Sequence, residues 1–359
     1  MCAMCGAGAG ALVLGACGPE EPHGTGFGGV STSSTAAGST GAGGSSTGGA
    51  STRGSDGGSS EVGSASTESS EPRRDVGSVP DVQAQAPGCG GKIDFLFLVS
   101  RHGFMYERQN QLIDAFPKFI ETIEGKFADF DYHIMVVDGD AQWGLSYCTE
   151  QCPEVGPPPC IVEDYPCDLL DEVSACDATH GAGVTFNAGG FAYNKPCSIP
   201  EGRRYLKKGD PDLSETFTCM AQGGVSGGDR LGEALAAAMS PALREGCNAG
   251  FLRDDALLML TLVTSSNDYD SGGTPEAWAQ AVFDAKGRPD SIVTFGIVNQ
   301  ISQPWCDTYV DKWAPSRTCE LIRRFPFHTS IDLDIDDYGP GFEAATELVA
   351  EACAAFIPG

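Results

Sequence analysis

The chain has 359 residues, with 49 Asp and Glu against 22 Lys and Arg, a formal charge of −27. A field of that sign repels nucleic acid and anionic lipid headgroups, so neither is an expected partner. No run reaches the ~18 apolar residues that span a bilayer.

In chain order, the first feature is a short apolar core, Gly6 to Leu14, running into Leu14-Gly15-Ala16-Cys17. Residues 1–17 are similar to a bacterial lipoprotein signal peptide and lipobox, although no Lys or Arg precedes the core. The resemblance implies lipidation of Cys17 and an exported, membrane-anchored protein of the cell envelope. Residues 18–88 are dominated by Gly, Ser, Thr and Ala, with Phe27 the one aromatic. Such a segment buries too little apolar surface to offset its chain entropy and is expected to be a disordered tether.

Residues 89–359 read differently. Ile93-Asp94-Phe95-Leu96-Phe97-Leu98-Val99 is the continuous apolar pattern of a strand buried on both faces of a parallel sheet. After a turn at Gly103, the residues Leu112, Phe116, Phe119, Ile120, Ile123 and Phe127 recur at helical spacing. Further strands are expected at Tyr132–Val137, Ala256–Val263, Ile292–Val298 and, as an edge, Ser330–Ile335. Helices are expected at Asp229–Met239, Pro275–Asp284 and Phe342–Phe356. Alternating strands and helices of these lengths predict an α/β fold with an open, mostly parallel, doubly wound sheet.

This pattern resembles a von Willebrand factor type A domain, across about 89–147 and 220–359. In that family the first strand runs into Asp-x-Ser-x-Ser-Met, whose oxygens hold a divalent cation. Here the matching positions are Ser100, His102 and Phe104, with Gly103 and Met105 kept. Ser226, in the Gly224–Gly228 loop, and Ser265, after the Ala256–Val263 strand, match the remaining ligand positions. The Asp of that motif and the Asp that follows the later strand in the family are replaced by Ser100 and Ser265, and hard cations normally take at least one carboxylate. Phe104 places a ring where a hydroxyl would coordinate. The resemblance thus implies a degenerate cation site, with no metal and no cofactor. Asp138, Asp140, Asp268 and Asp336 all follow strands and are the acids available to compensate. Asp332 and Asp334 alternate with Ile331, Leu333 and Ile335, as on the wet face of an edge strand.

Residues 148–219 fall outside the resemblance. Setting aside Cys2, Cys5 and Cys17, twelve of the fifteen cysteines remain, and Cys148, Cys152, Cys160, Cys167, Cys176 and Cys197 lie in this segment. An exported chain meets an oxidising compartment, so a disulfide-rich irregular insertion is expected, held by crosslinks rather than by a core, with the connectivity open. It leaves the second strand at Asp138-Gly139-Asp140. That places it beside or over the carboxyl edge of the sheet, where open α/β sheets bind ligands.

The expected function is non-catalytic binding of a protein or polymer of the envelope or exterior, without the usual cation. An alternative is a serine hydrolase. Gly224-Val225-Ser226-Gly227-Gly228 fits Gly-x-Ser-x-Gly, and Asp268 or Asp270 and then His328 follow in the order that fold uses. A third reading is a structural spacer.

Overall fold

A computed structural model describes residues 90–140, 167–225, 229–299 and 316–355. All belong to one compact unit, Ser78–Gly359. The expected signal peptide with Cys17, the tether, Cys148, Cys152, Cys160 and Ser226 lie outside the described residues.

Six strands form one sheet. They are β1 (Lys92–Val99), β2 (Asp131–Asp138), β3 (Leu206–Lys207), β4 (Leu257–Thr264), β5 (Ile292–Val298) and β6 (Phe327–Asp332). Their order is β3-β2-β1-β4-β5-β6. Every pairing is parallel except that of β2 with β3. Helices α1 (Tyr106–Lys126), α2 (Leu213–Ala221), α3 (Leu231–Ala238), α4 (Pro241–Glu245), α5 (Pro275–Lys286), α6 (Arg317–Ile322) and α7 (Gly339–Ala355) complete the set.

The sequence of β1 shows why both faces are covered. Side chains alternate across a strand, and here both alternating sets are apolar. Phe95, Phe97 and Val99 pack with Phe116 and Phe119 of α1, Phe217 of α2 and Phe342 of α7. Leu96 and Leu98 pack on the other face with Leu231 and Leu235 of α3, Trp278 of α5 and Ile322 of α6. Helix α5 carries its own boundaries. Thr274 caps it by accepting from the Ala277 N–H, Pro275 opens it, and Gly287 closes it at φ 71°. Gly232 lets α3 meet α5, since a Cβ there would sit 2.3 Å from the Trp278 ring.

Three expectations change. Residues 148–219 are not only a crosslinked loop: they supply β3 and most of α2, whose Phe217 and Met220 are buried in the main core. Two disulfides join described residues, Cys176–Cys247 and Cys197–Cys219, so both crosslinks and a core hold this segment. Cys319 and Cys353 are also disulfide-bonded. The last strand begins three residues early and stops at Asp332, paired with Val298. Leu333 beyond it is buried, its N–H donating to Val298 O, and Asp334 holds Arg108 at 2.5 Å. The Asp332 to Ile335 alternation is therefore a strand end and a loop. Among the described residues, no helix is long and apolar enough to cross a membrane.

Candidate functional site

Register fixes which residues meet. Val99 pairs with both Asp138 and Val263, and Thr264 with Val298. Ser100, Asp138 to Asp140 and Thr264 to Ser266 therefore share the carboxyl edge of the sheet.

Ser100 is fully buried. Its N–H donates to Val263 O, and its hydroxyl accepts from the His102 N–H at 3.1 Å, closing the turn that leaves β1. Beyond that turn, Phe104 is 81 % exposed. The expected ring inside a coordination sphere is thus corrected: Phe104 points outward and rests near the His102 ring, with centroids 5.9 Å apart.

Between the two positions lies Arg101, which is only 2 % exposed. Its Nη2 donates to Ala188 O at 2.7 Å, and Nη1 stands 3.4 Å from Asp138 Oδ2 and 3.8 Å from Asp140 Oδ2. Burial pushes the Asp138 carboxyl up to about 6 against the opposing pull of Arg101. The two acids expected to compensate for a lost cation site are therefore engaged by a side chain of this chain.

Gln109 of α1 ties the neighbouring loop down. Its Nε2 donates to Ser100 O at 2.9 Å and Gly224 O at 3.0 Å, and its Oε1 accepts from the Gly224 N–H at 2.9 Å. Gly224 also lies against the insertion, since a Cβ there would be 2.5 Å from Gly190 O. Tyr193 N–H donates to Gln222 O and Val225 N–H to Gly190 O, so residues 188–194 of the insertion are latched to this edge.

Asp229, 2 % exposed, comes closest to the degenerate cation positions. Its Oδ2 faces the Thr264 hydroxyl at 3.5 Å, while Oδ1 has no partner among the described residues. Burial raises its carboxyl above the usual range. The Ser266 and Ser100 hydroxyls oppose that shift, yet neither completes a hydrogen bond to Oδ1. Asp268 is also raised by burial, and its Oδ2 accepts from the Gly232 N–H at 2.7 Å in the first turn of α3. Ser265 Oγ and His102 Nδ1 are likewise unpartnered among the described residues.

These residues fit a dedicated divalent cation site poorly. Among the described residues, no three His, Cys, Asp or Glu side chains converge to hold a metal. The Ser100 hydroxyl serves the β1 turn, the Thr264 hydroxyl accepts from the Ser266 N–H, and Asp268 serves a helix end. Burial disfavours the charged form of Asp229, the form that a cation would need. Asp336 is exposed beyond β6.

The described residues around the hydrolase constellation, whose Ser226 lies outside them, do not have the arrangement that fold uses. The residues ahead of Gly224 form α2, whereas a nucleophile elbow needs a strand there. His328 pairs with Thr294, which pairs with Leu260, in the body of the sheet. Leu260 is four residues short of the edge, about 13 Å away at strand rise. Asp268 and Val225 lie at the edge itself, and Asp270 beside Asp268 is exposed.

What the edge offers instead is a cleft of about 520 Å³, lined by His102, Phe104, Tyr106, Glu107, Phe191 and Asp334, among others. Phe104, Phe191 (60 % exposed) and Tyr269 (55 %) are the exposed large hydrophobics among the described residues, and all three sit in loops of this edge. Phe191 comes from the insertion and packs on Tyr106 with ring centroids 4.5 Å apart. It is held at φ 65°, a costly conformation for a bulky side chain.

Sequence reasoning did not single out Arg101, Gln109, Asp229 or Phe191. An Arg inside an apolar strand-to-turn junction was the available signal for the first.

No family model matches the chain. No curated protein matches it either. Among solved structures, it is similar to proximal thread matrix protein 1 from the mussel byssus, at 11% identity and a TM-score of 0.36. That match covers 74% of this chain, which spans about half (49%) of the mussel structure. The likeness is too slight to carry a fold or a function to this chain.

Proposed function

We propose that the protein is a non-catalytic binding module, a von Willebrand factor type A-like domain that recognises a protein or polymer of the envelope or exterior without a divalent cation. The observation that carries this reading is the pair of exposed aromatic rings, Phe104 and Phe191, flanking one cleft at the carboxyl edge of the sheet. Exposed rings gathered at one cleft are the kind of apolar surface that marks an interaction site. The strain at Phe191 supports the same reading, because a costly backbone that exposes a ring calls for a compensating role. An open, mostly parallel sheet covered on both faces supports the family resemblance.

Export and lipid anchoring through Cys17 belong to the same proposal. The disulfides suit an oxidising compartment. Photocrosslinking in cells tests the binding reading. A benzophenone residue at Phe104 or Phe191 of the full chain is expected to yield a discrete crosslinked product, and one at Glu347 on α7 is not. Equal products from all three positions, or none from the first two, would remove the proposal.

A further inference from the structure

The cleft's chemistry narrows the class of partner. One wall is aromatic, with Phe104 open to solvent and Phe191 leaning on Tyr106. The other carries carboxylates, Glu107 and Asp334. The cleft's own guanidinium, Arg108, is already taken: Nη2 is bonded to Asp334 Oδ1 at 2.5 Å and Nη1 to Gln111 at 2.9 Å. Glu107 is exposed and makes no salt bridge among the described residues. The chain as a whole carries a net charge of −27.

We infer that the cleft takes an arginine of a partner protein, presented by a short extended segment with apolar neighbours. The inference rests on the proposed binding function and names its partner class. Three properties of arginine match three features of the site. Its planar guanidinium stacks on an aromatic face, which the exposed ring of Phe104 offers. Its forked donors pair with a carboxylate, which Glu107 offers. Its alkyl stem and the flanking apolar side chains cover Phe191, removing ring surface from water. A lysine brings a stem and a point charge but not the planar, forked group that stacks and pairs at once, and a neutral carbohydrate meets only the rings. The negative field speeds capture of such a segment but does not choose the cleft over the rest of the surface.

The test is fluorescence anisotropy at physiological salt with the full chain and a labelled octapeptide of alternating arginine and leucine. The comparison peptide carries citrulline, the neutral isostere, at each arginine. The arginine peptide is expected to bind, the citrulline peptide about tenfold more weakly, consistent with one lost charge-assisted pair. Phe104→Ala and Glu107→Gln should each weaken the arginine peptide about fivefold or more. Asp270→Asn, an exposed acid outside the cleft lining, should leave affinity within about twofold, the size of a screened surface charge.

No binding of the arginine peptide at millimolar concentration overturns the inference. So does an equal loss from Asp270→Asn, which would mean diffuse charge attraction. Equal binding of both peptides, still lost in Phe104→Ala, overturns the arginine assignment while sparing the aromatic cleft. Binding indifferent to both Phe104→Ala and Phe191→Ala removes the cleft reading as well. Binding of a neutral chitin hexasaccharide, with none of the peptide, assigns the cleft to carbohydrate instead.

Discussion

Phe217 of the insertion stacks face to face on Phe116 of α1, with ring centroids 3.6 Å apart and planes within 5°. Both rings are buried, and Phe217 also meets the edge of Phe97 on β1 at 5.1 Å. The Cys-rich segment thus reaches into the main core. Phe217→Ala is expected to cost about 3–5 kcal/mol, the usual range for a buried Phe. Replacing residues 148–219 with a short linker removes β3 and most of α2, and should give no cooperative unfolding transition. Urea denaturation followed by far-UV circular dichroism checks both. A folded deletion variant would show the segment to be dispensable.

Arg101 is the next sensitive position. Removing one partner of a buried ion pair leaves the other charge uncompensated, typically at about 3–5 kcal/mol. Arg101→Met should fall in that range, because Asp138 and Asp140 then face each other without the guanidinium. Adding Asp138→Asn and Asp140→Asn should recover part of the loss. If Arg101→Met costs less than about 1 kcal/mol, the pairing is no stronger than a surface bridge.

Two buried groups at the amino edge of the sheet respond to acid in opposite directions. Asp94 is fully buried, bonded to the Arg253 N–H at 2.7 Å and to Arg253 Nε at 2.8 Å, with His133 Nδ1 at 3.7 Å. Burial holds His133 down to about 4, so its stabilisation is complete above its ordinary value near 6.5 and is lost as pH falls toward 4. Burial raises Asp94 to about 6, against the pull of Arg253, so the native state takes up a proton first and gains stability as pH falls from 6 toward its ordinary 3.8. The two slopes oppose each other. As pH falls from 6 to 4, His133→Gln should gain more stability than the wild type, because the opposing His133 slope is gone while Asp94 and Asp138, both raised to about 6, still titrate. Urea midpoints at pH 4, 5, 6 and 7 measure this. Parallel profiles for the two proteins would contradict it.

Millimolar magnesium or calcium should leave the melting temperature unchanged, since a ligand that binds only the native state raises it. Asp229→Asn should be neutral or stabilising at pH 7, because it removes a carboxyl whose charged form burial disfavours. A chelator-sensitive rise of several degrees, lost in Asp229→Asn, would instead make Asp229 a cation ligand.

Cys17→Ser should move the protein from the membrane fraction to the soluble one. Retention in the membrane fraction would count against the lipid anchor.

The strands β1, β2, β4 and β5 were legible because each is a continuous apolar run. Helix α5 was legible because Thr274, Pro275 and Gly287 bracket it. The two-residue β3 is too short to carry a period, and α2 is only nine residues long in a Cys- and Pro-rich neighbourhood. At the site, Ser100 and Ser265 follow strand ends that pair in register, so their shared edge can be read from the strands alone. The side chains that organise that edge, Arg101 and Gln109, contribute through contacts with Ala188 and Gly224 far along the chain. Such partners leave no local spacing to read.

The Cys176–Cys247 bond closes a loop with a sequence separation of 71, and α2, α3 and α4 all lie inside it. A chain threaded amino end first through a membrane exposes Cys176 long before Cys247 arrives. The latch of residues 188–194 onto the edge is formed against Gln222 to Val225, which also emerge late. Until then Cys176 is a thiol without its partner, in a sequence rich in other cysteines. On the proposed export, correct assembly of the rim would depend on delaying or correcting early oxidation, the task of a thiol–disulfide isomerase.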